Sequence, residues 1–258
     1  MDMGLTGARV LITAGAGGIG LEIARAFVRE GASVHVCDVD MAAIDGLKAS
    51  DPQLGATPCD VSDRKAVSAL FDTALARLGG LDILVNNAGI AGPTGRVEEI
   101  NPDDWDRCVD VCLTSQFNCA RLAIPHLRQS SNASIVNLSS AAGKLGFPLR
   151  GPYSAAKWGV IGFTKSLAIE LGPEGIRCNA ILPGIVAGDR IRRVFEAKAQ
   201  QRGISFTELE NTMLQYTSMK SYVTPQQIAD QIVFICSVRG RTISGQAISV
   251  CADTQMLG

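Results

Sequence analysis

The chain has 258 residues, 47% of them hydrophobic, with 24 basic against 25 acidic side chains and a formal net charge of −1. That is ample material for a core and excludes a disordered chain, while the absence of a basic stripe or polybasic end excludes nucleic acid and membrane surfaces as expected partners. The opening "MDMGLTGARV" does not read as a signal peptide, and no run of about 18 apolar residues is free of charge, so neither export nor a membrane span is expected.

Strand and helix patterns alternate along the chain. "ARVLIT" reads as the first strand. "GLEIARAFVREG" follows as a helix, with Ile23, Phe27 and Val28 at helical spacing and Gly31 as a stop. "SVHVC" is the second strand and "GATPC" a short third, followed by the helix "KAVSALFDTALARLG". "LDILVN" is the fourth strand, and a long helix runs from Pro102 to Gln129. "ASIVNLS" is the fifth strand, "YSAAKWGVIGFTKSLAIELG" a helix, and "IRCNAILPG" the sixth strand. "TPQQIADQIVFICS" is a helix capped by Thr224, and "QAISV" is the seventh strand. Such alternation predicts an α/β fold: one doubly wound domain over residues 1–258, a seven-stranded parallel sheet with helices on both faces. Residues 188–224 break the rhythm with an amphipathic helical insert. It reads as a lid or substrate wall, with surface decoration or a subunit contact as the alternative.

Eight cysteines are scattered without a C-x-x-C pair. Cys108 and Cys112 stand at i, i+4, but no histidine completes a ligand set, so no metal is expected. The thiols read as small apolar residues, and with no export signal they point to a cytoplasmic protein. His35 and His126 are too far apart in the pattern for a histidine-based triad.

Between the first strand and its helix lies "TAGAGGIG", Thr13 to Gly20. Gly15, Gly17 and Gly20 spell G-x-G-x-x-G; Gly18 and Gly20 also close T-G-x-x-x-G-x-G, with Ala14 at the first glycine. Either way, glycines admit backbone N–H groups to a pyrophosphate at a helix N-terminus, as in a Rossmann-type dinucleotide site. The second strand ends in Asp38, 18 residues beyond Gly20. A carboxylate there accepts from both adenosine ribose hydroxyls and repels a 2′-phosphate. No Arg or Lys at 14–20 or 39–40 offsets it, so NAD is expected over NADP.

"YSAAK" sets Tyr153 and Lys157 on one helix face. Free tyrosine, with a pKa of about 10, is a poor base at neutral pH, and a neighbouring ammonium favours its phenolate. Tyr153 is thus a candidate general acid/base, and Ser140, 13 residues upstream, a hydrogen-bond donor to the reacting oxygen. Loop capping is the alternative for Ser139 and Ser140.

Together these motifs resemble the short-chain dehydrogenase/reductase family, in its single-domain branch, over nearly the whole chain. The family's glycine loop matches Thr13, Gly15, Gly18, Ile19 and Gly20, its adenine-contacting acid Asp60 in "CDV" with Val61, and its N-N-A-G motif Asn86, Asn87, Ala88 and Gly89. Its catalytic trio matches Ser140, Tyr153 and Lys157, and its P-G turn Pro183 and Gly184, with Val186 contacting the carboxamide. The resemblance implies that Lys157 also binds the nicotinamide ribose, that the reaction is reversible hydride transfer between NAD and a small-molecule alcohol or carbonyl substrate, and that the protein is a homotetramer. Its interfaces would involve the apolar faces around Phe117 and Phe163.

The chain also departs from the family. Cys112 takes the place of an asparagine whose main-chain carbonyl, in the family, holds a water that relays protons from the catalytic lysine; a slower relay is expected. Gly188 stands where the family often has a threonine, and "SVCADTQ" where it often has V-D-G-G. Gly15 is expected to compensate for Ala14 with backbone freedom one residue later. Near the site, Phe147 and Leu149 offer apolar walls, and Arg150 and Arg190 an anionic grip or plain solvated charge. Two other functions compete: a dinucleotide-binding scaffold or redox sensor with weakened catalysis, and a sugar-nucleotide epimerase, which usually needs a larger C-terminal domain.

Overall fold

Runs of aliphatic residues form seven strands, β1 (Arg9–Thr13), β2 (Ser33–Asp38), β3 (Gly55–Pro58), β4 (Ile83–Asn86), β5 (Ser134–Leu138), β6 (Arg177–Pro183) and β7 (Ala247–Val250). The computed structural model describes residues 2–257; the side chains of residues 190, 197 and 201 lie outside that description. The strands pair in parallel in the order β3-β2-β1-β4-β5-β6-β7. The chain winds outward from β1 to β3, then crosses back to lay β4 beside β1. That reversal opens a crevice at the carboxyl ends of β1 and β4, the expected place for a ligand.

Two cores cover the two sheet faces. Val10, Ile12, Val34, Val36, Ile83 and Val85 pack against Ile23 and Phe27 of α1 (Gly18–Arg29), Ile44 of α2 (Met41–Ser50) and Ile228 and Ile232 of α9 (Pro225–Cys236). Leu11, Leu84 and Ile135 face the other way, onto Leu70 and Phe71 of α3 (Arg64–Leu78), Cys119 and Ala123 of α5 (Ser115–Leu127) and Leu167 of α6 (Gly151–Leu171). Alternate residues of one strand thus serve opposite cores, as the period-2 geometry requires. Thr224 caps α9, its hydroxyl accepting from Gln227 N at 3.2 Å while the Gln227 side chain accepts from Thr224 N at 2.9 Å.

The expected continuous helix from Pro102 to Gln129 is interrupted. α4 (Pro102–Val109) passes into a π turn over Asp110–Thr114 before α5 resumes and ends at Leu127. Side chains satisfy carbonyls at this widened turn: Ser115 Oγ donates to Val111 O at 2.7 Å and Gln116 Nε2 to Cys112 O at 3.2 Å.

The insert forms two helices, α7 (Asp189–Arg202) and α8 (Phe206–Leu214), around a small core of their own. Phe195, Ala199, Leu209 and Met213 close on Ile185, with the Phe195 ring 6.4 Å from both Phe206 and Tyr222. Its two ends meet: Ala187 N donates to Val223 O at 2.8 Å and Val223 N to Ile185 O at 2.9 Å. Among the described residues, no helix is long and apolar enough to cross a membrane.

Candidate active site

The carboxyl end of β1 is tied to that of β4. Thr13 Oγ1 accepts from Asn87 N and Ala88 N, both at 3.0 Å. Asn87 Nδ2 donates to Thr13 O at 3.0 Å and to Ala14 O at 2.9 Å. Ala14 has φ 50°, a left-handed conformation that strains a residue with a Cβ. Gly15 is not left-handed, so it does not supply the expected compensation; its α-carbon lies against Val36, where a Cβ would fall 2.6 Å from the valine Cβ. The hydrogen bonds from Asn87 hold the strained turn instead. Gly20 lets α1 pass over it, since a Cβ there would lie 2.1 Å from Ala14 O.

Gly18, with φ 52°, opens α1. Gly17 and Gly18 are exposed, a Cβ on either would meet nothing within 4 Å, and α1 begins without a side-chain cap or an acidic residue in its first turn. Backbone N–H groups therefore face open space at the positive end of a helix, a fit for a pyrophosphate. Ile19, one residue further, packs its side chain toward the α1 core.

Asp38 ends β2 with both carboxylate oxygens oriented by the backbone: Oδ2 accepts from Ala16 N at 3.1 Å and Oδ1 from Asp40 N at 3.2 Å. Asp60, after β3, accepts from Ser62 N at 2.9 Å and Ser62 Oγ at 2.7 Å and pairs with Arg107 at 3.0 Å. Burial works to raise the Asp60 pKa, but those hydrogen bonds and the Arg107 charge outweigh it and hold the carboxyl below its ordinary value. Val61 beside it is buried. Asn87, Ala88 and Gly89 line the end of β4, and a Cβ on Gly89 would sit 3.4 Å from Lys157 Nζ. Pro183 ends β6, Gly184 N donates to Val250 O at 3.1 Å, and Val186 bridges to Val223 at the base of the insert.

β5 leads into Ser140, and α6 sets Tyr153 and Lys157 side by side. Lys157 is buried, its Nζ donating to Leu138 O at 2.8 Å and lying 5.7 Å from the centre of the Tyr153 ring. Ser140, two residues past β5, accepts from Ala142 N at 3.2 Å and so caps the short turn Ala141–Gly143. That bond uses the oxygen and leaves the hydroxyl proton to donate. Ser139 is buried and ties the loop to α6, its Oγ donating to Lys157 O at 2.7 Å.

The π turn lies against this group. Cys112 is buried, with Sγ 3.4 Å from Ile90 O and close to Gly89. Cys108 packs with Cys112, Ala156 and Tyr153; its hydrogen bond with Cys112, then burial, pushes its thiol pKa far up, which keeps it protonated. The guanidinium of Arg150, at the start of α6, stacks 5.2 Å over Phe147 and 5.4 Å over Tyr153, and donates to Ala91 O. The side chain of Arg190, the other expected anion contact, lies outside the described residues. Among the described residues, no group of three or more candidate ligands gathers to hold a metal ion.

A family model described as enoyl-(acyl carrier protein) reductase matches residues 13–252. An uncharacterized oxidoreductase of Bacillus subtilis is 35% identical over 243 residues, 92% of this chain and 94% of its own. D-beta-hydroxybutyrate dehydrogenase of Cupriavidus necator is 34% identical over 246 residues, covering 93% and 95%. The chain belongs to the short-chain dehydrogenase/reductase family. Its fold is shared with solved reductases: a crystal structure of actinorhodin polyketide ketoreductase with NADPH superposes with TM-score 0.90 at 30% identity, covering 96% of this chain and 97% of that one. As a short-chain dehydrogenase/reductase the protein is an oxidoreductase of the nicotinamide dinucleotide class.

Gln116 escaped the sequence reading, and Ser139, read there only as a possible loop cap, instead donates to Lys157 O. Gln116 carried a signal: an amide four residues after Cys112, on a helix face otherwise given to small apolar residues.

Proposed function

We propose that this short-chain dehydrogenase/reductase oxidises a secondary alcohol, or reduces the matching ketone, with NAD, and that Tyr153 is its general acid/base. The observation that carries the reading is the buried Lys157 ammonium beside the Tyr153 ring, together with an open glycine loop whose neighbouring acid, Asp38, is fixed in place. A bound nicotinamide ring supplies the hydride acceptor or donor. Thr13, Gly15, Gly18, Ile19 and Gly20 would border its pyrophosphate, Asp38 its adenosine ribose, Asp60 and Val61 its adenine. Asn87, Ala88, Gly89, Lys157, Pro183, Gly184 and Val186 would surround the nicotinamide end.

Tyr153 exchanges a proton with the substrate oxygen, and Ser140 donates a hydrogen bond to that oxygen. Lys157 holds positive charge beside the phenol. Cys112 contributes its main-chain carbonyl at the π turn. The reading rests further on a relative named for oxidising a hydroxy acid, D-beta-hydroxybutyrate dehydrogenase.

NADP is the second reading, favoured by the ketoreductase neighbour solved with NADPH. Against it stands Asp38, whose carboxylate would oppose a 2′-phosphate. We read residues 188–224 as a lid, because its helices carry their own core and leave and rejoin the fold at one point. At the substrate end, Phe147 offers an apolar wall and Arg150 positive charge. Burial, then the charges of Arg202 and Arg150, hold the Lys198 ammonium below its ordinary pKa. A second copy of the chain would cover the exposed Trp158 and Phe117, the latter edge-on to Phe163 at 6.5 Å. That surface fits the expected homotetramer.

The test is an initial-rate screen with NAD+ and NADP+ over secondary alcohols, sugars, hydroxy acids and sterols, with Tyr153→Phe as control. Turnover with NAD+ that Tyr153→Phe abolishes supports the reading. Preference for NADP+, or an undiminished Tyr153→Phe enzyme, overturns it.

A further inference from the structure

We propose that Gln116 is a positioning residue for Lys157, acting through the main-chain carbonyl of Leu138. Gln116 is 1% exposed, and its single amide nitrogen donates to two carbonyls, Cys112 O and Leu138 O, each at 3.2 Å. Leu138 O is also the acceptor for Lys157 Nζ, at 2.8 Å. One strand-end oxygen therefore receives a donor from α5 and a donor from α6, and the same glutamine fastens the π turn to that oxygen.

The orientation of the amide follows from these partners. Turned over, Oε1 would oppose two carbonyl oxygens at once, so the nitrogen must face them. The lysine ammonium is left with a fixed acceptor at a fixed height under the Tyr153 ring. Without the glutamine, Leu138 O loses its second donor, and the π turn loses its tie to β5. Nearby polar side chains do not duplicate the role. Asn86 Nδ2 donates to Asn137 Oδ1 at 2.9 Å, and Asn137 Nδ2 to Thr164 Oγ1 at 3.0 Å, a row of bonds that bypasses Lys157. Ser115 Oγ, bonded to Val111 O at 2.7 Å, steadies the same π turn but does not touch Leu138.

Ser115 therefore supplies the control. The turnover arm rests on the dehydrogenase reading; the structural arm does not. Gln116→Met keeps the length and burial of the side chain and removes the donor. We expect kcat to fall about tenfold with KM for the alcohol within twofold, because the lesion lies at the lysine and not at the substrate wall. Gln116→Met and Ser115→Ala should lower the melting temperature by similar amounts, while Ser115→Ala keeps kcat within twofold of wild type. In a crystal structure of Gln116→Met, Lys157 Nζ should leave Leu138 O. Equal kcat losses in the two variants, a Gln116→Met enzyme within twofold of wild type, or Nζ still bonded to Leu138 O in that variant would each overturn the proposal. Wild-type protein that binds NADH but turns over no alcohol or ketone would overturn the dehydrogenase reading alone, and the crystal structure then decides the role of Gln116.

Discussion

The side-chain amide of Asn87 grips the carbonyl of Ala14 at 2.9 Å, and Ala14 is the residue with a Cβ in the glycine-rich loop that is held in a left-handed conformation. Two ends of the sheet's central strands are thereby locked together at the point where a dinucleotide would lie. The same conformation recurs at Ala252 and Asp253, with φ 50° and 53°, in the segment where the family often has paired glycines. At each of these positions the strain is borne by a residue with a Cβ.

Replacing Ala14 by Gly should relieve that strain. The left-handed penalty of about 1–2 kcal/mol is partly offset by the greater freedom of glycine in the unfolded chain, leaving a gain of about 0.5–1 kcal/mol. A rise of roughly 2 °C in melting temperature is expected. A lower melting temperature for Ala14→Gly would show that the turn is not strained.

Asn87→Leu should do the opposite. It removes two hydrogen bonds from the loop and leaves the carbonyls of Thr13 and Ala14 short of a donor. A loss of about 1–3 kcal/mol in urea denaturation is expected. Weaker NADH binding should accompany it, read by fluorescence titration.

How much of this was legible beforehand differs by element. The parallel sheet followed from alternating strand and helix patterns, because burial on both faces leaves continuous aliphatic runs such as "ILV" in β4. The proximity of Tyr153 and Lys157 followed from their spacing on α6. The π turn did not: it shifts one hydrogen-bonding step and leaves the apolar pattern on either side intact. The role of Asn87 toward Ala14 was equally hidden, since it joins residues 73 positions apart. Gln116 was readable only as an odd polar residue, because its meaning depends on a carbonyl supplied by β5.

Tyr153→Phe should lower turnover by about 10²–10⁴-fold, the usual weight of a positioned acid/base. The dissociation constant for NADH should stay within a few-fold. Retained turnover would remove Tyr153 from the chemistry.

Asp38→Asn removes the charge that opposes a 2′-phosphate while keeping oxygen and length. The dissociation constant for NADP+ should fall by roughly tenfold, about 1.4 kcal/mol, with that for NAD+ rising. An unchanged NAD+/NADP+ ratio would assign cofactor choice elsewhere.

His35 makes stability depend on pH. Burial, then the charge of Arg77, pushes its imidazole down to about 4, from an ordinary value of 6.5, and its Nε2 lies 2.8 Å from Thr57 Oγ1. The folded protein keeps the ring neutral while the unfolded chain takes up a proton. This contribution is therefore full above pH 6.5 and is lost as pH falls through about 4, with a slope of at most about 1.4 kcal/mol per pH unit. Urea midpoints at pH 7.5 and 5 should converge in His35→Gln relative to wild type.

The π turn at Asp110–Thr114 also changes how length variation would be felt. One extra residue in a helix rotates everything on one side of it by about 100° relative to the other. α4 is thereby phased so that Arg107 meets Asp60 and Cys108 meets Tyr153, while α5 is phased so that Cys119 and Ala123 meet the sheet. The turn behaves as a phase coupling between two readers of the same helix. Deleting a single residue there would let the helix close to plain α geometry with Arg107 and Cys108 still on their partners, whereas inserting a further residue would swing α4 out of mesh with α6 and carry both off their partners together.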